Sequence, residues 1–205
     1  MTEVLFVLLE DYADWETAFL AAALQPLAGF TVKTVSNQRQ AVHSIGGFTT
    51  VPDYTLEEAI DKEFAALILI GGYSWRKEAA AEVTQLVKKA EQNGAVMGAI
   101  CDASVYLGSL GVLDTVKHTS NQLQELQSYA GTKYKGAKNY QEQQAVRDKN
   151  IITANGTAPL EFAKEVLLAL KAMPEKEISQ WYDFYKLGYY EILKVGNKIG
   201  LGEGK

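Results

Sequence analysis

The chain has 205 residues, 47% of them hydrophobic and 22% charged, with a formal net charge of −5 and a sequence pI of about 5.2. That length suits one sizeable α/β domain with an appendage, and the acidic balance offers no polyanion-binding surface, so no nucleic-acid partner is expected. A lone cysteine excludes an internal disulfide. With no signal-peptide pattern at Met1-Thr2-Glu3 and no apolar run long enough to span a bilayer, a cytoplasmic location without a membrane role is expected.

Val4 to Leu9 is a continuous apolar run of a length that suits a buried first strand. Polar residues 10–14 follow. Helical periodicity then runs from Trp15 to Leu27 through Phe19, Leu20 and Ala23. Gly29 leads into a second strand, Phe30 to Ser36. Gln38 to Pro52 reads as short extended pieces around a Gly46-Gly47 turn, and Pro52-Asp53 leads into a brief helix, Leu56 to Ile60. Ala66 to Ile70 is another buried strand, ended by Gly71-Gly72, and Ala79 to Gln92 is a helix with Val83, Leu86, Val87 and Ala90 on one side. Asn93-Gly94 marks a turn, Ala95 to Ile100 is an uninterrupted apolar strand, and Asp102 to Leu110 is a helix. Val116 to Asn121 reads as a strand, Ala145 to Ala154 as a hairpin turning at Asp148-Lys149-Asn150, and Pro159 to Ala172 as a closing helix. Strands alternating with helices imply a mostly parallel sheet covered on both faces.

Pro174 begins a different segment. Trp181, Phe184, Tyr185, Gly188, Tyr189 and Ile192 fall at helical spacing along one helix from about Glu175 to Lys194. The stripe either packs on its own domain or forms a subunit interface, and a homodimer is expected. Basic and acidic residues balance in this segment, so it presents no membrane-seeking face. Asn197 to Lys205, rich in glycine and charge, reads as a frayed tail. The expected division is a domain over residues 1–172 and an aromatic helix with tail over 173–205.

Cys101 falls where a buried strand turns sharply into a helix, between the small residues Ala99 and Ala103. A thiol there lies beside free N–H groups at the positive end of a helix, which favours thiolate. Two other strand ends are unusual. The first strand leads to Glu16 in the first turn of its helix, and another ends at Gly71-Gly72. In an open parallel sheet the carboxyl ends of the strands share one edge, where ligands bind. If the three strands are neighbours, Cys101 is the nucleophile, and the N–H groups of Gly72 and Asp102 face a developing oxyanion. Glu16 hydrogen-bonds the sulfur as a protonated carboxyl, because two adjacent anions in a dry pocket do not both ionise.

Asp14-Trp15-Glu16-Thr17, Ile70-Gly71-Gly72, Ala99-Ile100-Cys101 and Pro52-Asp53-Tyr54-Thr55-Leu56 resemble the DJ/PfpI superfamily over about Val4 to Leu170. The resemblance implies a flavodoxin-like three-layer α/β sandwich with a mostly parallel central sheet, here with an appended C-terminal helix. It also implies a fold akin to class I glutamine amidotransferase domains, a reactive cysteine paired with a glutamic acid, and dimers. Activities attributed to the superfamily include intracellular peptidase, other hydrolase or glyoxalase chemistry, chaperone behaviour and oxidative-stress sensing. The chain departs from the pattern at the base. Protease-like members carry His after the elbow cysteine where Asp102 stands, and others supply a His where Asn121 stands. A His-x-Glu near the last helix is replaced by Asn155-Gly156-Thr157-Ala158. Of two histidines, His43 reads as structural, while His118 is either the missing base or a satisfied structural histidine. Glu16, Cys101 and His118 are too few ligands from separated elements for a metal, and no cofactor is expected. The expected function is a cysteine hydrolase of the intracellular-peptidase type acting on a small-molecule or peptide substrate. The alternative is a stress-responsive or chaperone-like protein working through oxidation of Cys101.

Overall fold

A computed structural model of the chain describes residues 1–199. Its strands are β1 (Thr2–Val7), β2 (Phe30–Ser36), β3 (Val42–His43), β4 (Thr49–Thr50), β5 (Tyr54–Thr55), β6 (Phe64–Leu69), β7 (Val96–Ile100), β8 (Ala145–Asp148) and β9 (Ile151–Ala154). Its α-helices are α1 (Asp14–Leu24), α2 (Leu56–Ile60), α3 (Thr84–Asn93), α4 (Asp102–Ser109), α5 (Leu123–Ala130), α6 (Pro159–Leu170), α7 (Glu175–Leu187) and α8 (Tyr189–Ile199).

Seven strands form one sheet in the order β5-β2-β1-β6-β7-β9-β8, parallel except for the β8–β9 hairpin. Alternate residues of the strands face opposite layers, as the period-two geometry requires. Val4, Phe6 and Ile68 pack against Leu20 and Leu24 of α1 and Phe162 and Val166 of α6. Leu5, Val7, Leu67 and Leu69 face Leu86 and Val87 of α3 and Val105 and Leu107 of α4. Gly98 in β7 lets α6 sit close: a β-carbon there would lie 2.8 Å from Phe162 Cζ. Phe162 fills that space fully buried, and truncating a residue so placed typically costs about 3–5 kcal/mol. The expected three-layer α/β sandwich is the one observed.

Local signals account for several boundaries. Thr55 caps α2 in a reciprocal capping box with Glu58. Gly94 ends α3 in the left-handed conformation at φ 63°. The β8–β9 hairpin turns through Lys149 at φ 54°, within the expected Asp148-Lys149-Asn150 turn.

Three expectations are corrected. Val116–Asn121 is not a sheet strand; it is irregular, with one bridging pair between His118 and Tyr140. Its place at the sheet is taken by β9, which pairs with β7. Residues 78–93 are a 3-10 turn over Glu78–Val83 followed by α3, not one helix. The C-terminal aromatic helix is two helices, because Gly188 at φ 89° breaks the backbone between them. On α7, Ile178 is fully buried in the α1–α6 layer, and Trp181 and Tyr185 meet Phe19 edge-on. Phe184, Tyr189 and Tyr190 remain exposed. Of the expected tail, 197–199 belong to α8 and 200–205 lie outside the described residues.

Candidate active site

The neighbouring strands β1, β6, β7 and β9 deliver four chain segments to one edge of the sheet. Past β1 comes Glu16 in the first turn of α1, past β6 comes Gly71, past β7 comes Cys101, and past β9 comes Asn155-Gly156. Ala13 N–H donates to Gly71 O at 2.9 Å, which ties the start of α1 to the end of β6. Glu16, fully buried, then accepts a hydrogen bond from Gly71 N–H on Oε2 at 2.8 Å. A side chain at Gly71 would displace this arrangement, since its β-carbon would stand 2.5 Å from both Glu16 Oε2 and Cys101 Cβ.

Cys101 occupies the elbow with φ 58° and ψ −133°, a conformation that costs a non-glycine residue about 1–2 kcal/mol. Three bonds hold it there. Cys101 N–H donates to Ala154 O at 3.0 Å, while its carbonyl accepts from Ser104 N–H at 3.0 Å and Ser104 Oγ at 2.6 Å. Asn121 Nδ2 donates to Sγ at 3.2 Å, and the Asp102 N–H also points at the sulfur. The same Asn121 accepts from Gly156 N–H on Oδ1 at 2.9 Å, so one carboxamide bridges the sulfur and the loop after β9. Gly156 approaches closely: a β-carbon on it would be 3.0 Å from Sγ and 3.2 Å from Glu16 Oε1.

The Glu16 carboxyl lies beside the thiol, which favours its anion, and its Oε1 is buried with no hydrogen-bond partner. Burial pushes the carboxyl up to about 8, against the Gly71 N–H that favours its anion. Burial, and then the Glu16 charge, push the thiol up to about 11, against donation from Asn121 and Asp102 N–H. Glu16 is thus the protonated acid the sequence suggests at neutral pH. The expected thiolate is corrected: desolvation of the sulfur and the adjoining carboxyl outweigh the helix end. Asp102 adds negative charge next to both groups, and the Arg76 guanidinium offsets it through a fork, Nε to Oδ2 at 2.8 Å and Nη2 to Oδ1 at 2.7 Å.

Two expected participants are elsewhere. His118 is fully buried with Nδ1 on Val116 O at 2.8 Å and Nε2 on Tyr134 Oη at 2.7 Å, and its ring lies edge-on to Tyr134 and Tyr140. With both nitrogens engaged and burial lowering its basicity, it is a satisfied structural histidine and not a base. His43 pairs with Glu10 in the β3–β4 region. Gly72, at φ 145°, spends its missing side chain on Asp11 and Tyr12: a β-carbon would sit 2.3 Å from Asp11 O. It therefore allows the loop after β1 to close down and does not line the space in front of Cys101.

That space is an open cleft of about 560 Å³ walled by Trp15, Asn121, Gln144, Asn155 and Thr157 around the sulfur. Trp15 is 45% exposed and donates from Nε1 to Gly156 O at 3.1 Å. Sequence reasoning missed Trp15, Gln144, Asn155 and Gly156 as site residues. The available signal was the Asn155-Gly156 turn ending a strand beside the cysteine strand. Among the described residues no cluster of three His, Cys, Asp or Glu side chains could hold a metal ion.

A match to the DJ-1/PfpI family spans residues 2–169. The chain belongs to the DJ-1/PfpI family. A relative in Bacillus subtilis, named uncharacterized protease YdeA, is 38% identical over 200 residues, covering 96% of this chain and 98% of the relative. Among solved structures of the DJ-1/PfpI type, the Agrobacterium tumefaciens DJ-1 superfamily protein Atu0886 is 34% identical with a TM-score of 0.82, covering 90% of this chain and 97% of that one. A thiJ/pfpI family protein from Bacillus anthracis is 33% identical with a TM-score of 0.83, and 90% of each chain is covered.

Proposed function

We propose that this DJ-1/PfpI protein is a cysteine-dependent hydrolase in which Cys101 is the nucleophile and Glu16 its proton partner. The observation that carries the reading is a buried carboxyl, its Oε1 unpartnered, set beside a thiol that borders an open cleft. A relative named as a protease agrees with it. In the reactive form the pair holds one proton for two groups. Sγ attacks the carbonyl carbon of an ester or amide while the proton rests on the Glu16 carboxyl, which returns it to the leaving group. A thioester remains, and water cleaves it to release the acid and restore the thiol. A proton partner with a pKa near the working pH is the efficient choice, and the singly charged pair grows in as pH rises toward about 8.

The test is hydrolysis of activated esters and short peptides from pH 6 to 9. The rate should climb through about 8, vanish in Cys101→Ala, and fall at least tenfold at pH 8 in Glu16→Gln, given the 10²–10⁴-fold that proton transfer typically contributes. A Cys101→Ala protein as active as the wild type removes the reading.

A second reading rests on the donors around the sulfur, Asn121 Nδ2 and Asp102 N–H. Peroxide would convert the thiol to a sulfenic acid with release of water, and a second equivalent to the sulfinic acid, whose new oxygens those donors and the Glu16 acid could hold. One cysteine in the chain means no internal thiol resolves the sulfenic acid. Mass spectrometry after graded peroxide tests it: Cys101 should gain two oxygens at lower dose than Glu16→Ala does. Equal dose curves refute it.

A further inference from the structure

The cleft at Cys101 does not end at its own walls. Asn121, Gln144 and Asn155 also line a second pocket of about 380 Å³, which continues past them between the start of α5 and the segment before β8. Its lining is dominated by carboxamides, with Leu123 and the Tyr140 ring as its apolar residues. Gln122, Gln124 and Gln143 add three more carboxamides to the three shared ones, with Ser120 and Thr119 at the base. The only carboxylate there is Glu142, and no lysine, arginine or histidine lines it.

The shared amides are committed. Asn121 holds Sγ and Gly156 N–H, and Asn155 donates to Gln144 Oε1 at 2.5 Å while accepting from Thr157. They therefore form a fixed wall between the two spaces. The side chains of Gln122, Gln124, Gln143 and Glu142 make no hydrogen bond within the described residues, so their donors and acceptors are available to a ligand.

We infer that this second pocket is a side-chain subsite of the Cys101 site, built for an uncharged hydrogen-bonding group such as a carboxamide, and closed to anions. This deepens the hydrolase reading and rests on it for the word substrate. Each free carboxamide offers both a donor and an acceptor, which matches another amide in either orientation. A carboxylate would find no cation and would face Glu142, and an aliphatic group would gain only Leu123 and the Tyr140 ring while stripping water from four unpaired polar side chains. The substrate class is thus a peptide-like acyl compound carrying a neutral amide side chain near the scissile bond.

Alkylation separates this from turnover, because a chloroacetyl peptide labels the thiol without hydrolysis: Sγ displaces chloride, and the thiol proton is lost to buffer. Three chloroacetyl dipeptide amides, identical except for Gln, Glu or Leu beside the reactive group, are compared by intact-mass kinetics at pH 8. The Gln probe should react about tenfold faster than the Glu and Leu probes, the ratio that one well-made polar contact of about 1.4 kcal/mol supplies. In Gln124→Leu/Gln143→Leu the Gln advantage should disappear while the rate with plain iodoacetamide is unchanged. In Glu142→Gln the Glu probe should recover relative to the Gln probe. Equal rates for all three probes on the wild type overturn the subsite, as does an advantage that survives the double variant. A thiol that iodoacetamide reaches but no dipeptide does overturns it equally. If the Gln preference appears and no ester or peptide is hydrolysed, the subsite stands and the hydrolase reading falls.

Discussion

Glu16→Gln should stabilise the protein, and by an amount that grows with pH. The Glu16 carboxyl is buried, and its pKa is raised from 4.5 to about 8, with desolvation the leading cause. A folded-state pKa above the unfolded value favours the native state fully below pH 4.5, and that contribution drains away as pH rises through about 8. At ~1.4 kcal/mol per pH unit, the interval sets an upper limit of about 5 kcal/mol, and coupling to the thiol reduces it. Glutamine keeps the size of the side chain, can accept from Gly71 N–H, and has no proton to lose. Urea denaturation of both proteins at pH 5, 6, 7 and 8 gives the difference directly. Near pH 5 the two should differ by about 1 kcal/mol or less; by pH 8 the variant should lead by roughly 3 kcal/mol or more. A difference that stays flat across that range would show the carboxyl ionising as it does in water, and the proton-sharing pair would have to be abandoned.

Other expectations are narrower. Gly71→Ala should cost about 1–3 kcal/mol by overpacking and slow iodoacetamide labelling of Cys101, because the new methyl group lands on Glu16 Oε2 and Cys101 Cβ; unchanged stability and labelling contradict the packing described. His118→Ala should lose about 2–4 kcal/mol of stability, from two buried hydrogen bonds and a cavity. Labelling of its folded fraction should stay within twofold of wild type, and a tenfold loss would return the imidazole to the reaction. For the expected homodimer, the exposed aromatic residues Phe184, Tyr189 and Tyr190 are the surface to probe. Sedimentation should give twice the 22.5 kDa of the chain, falling to one chain in Tyr189→Glu/Tyr190→Glu. A wild-type mass of a single chain at micromolar concentration would dispose of it.

The sheet was readable because its central strands are buried on both faces: Ala66 to Ile70 and Ala95 to Ile100 contain no polar residue to confuse the period. The pairing of Glu16 with Cys101 followed from the rule that parallel strand ends share an edge. Helix α5 was not readable, since four of its eight residues are Gln, Glu or Ser and only Leu126 and Ala130 are buried. Val116 to Asn121 carries strand-forming residues, yet their backbone groups are taken by the 139–143 loop and by Thr153, so β-propensity lost to tertiary contacts. The thiolate failed for a similar reason. A helix end is visible in sequence, whereas the depth at which its neighbour is buried emerges only from the packing of Gly156 and Glu16 around it.

Asp11 and Cys101 both carry φ near 58° without being glycine, on loops that leave β1 and β7 at the same rim of the sheet. Anyone seeking a hardier protein would find ready gains there by installing glycine, which tolerates such angles freely. Each gain would erase a functional group from the rim, at position 101 the sulfur itself. Thermostabilising work is better aimed at Lys149 in the β8–β9 turn and Lys171 after α6, equally strained at φ 54° and 51° but away from the site, where a sturdier chain need not be an inert one.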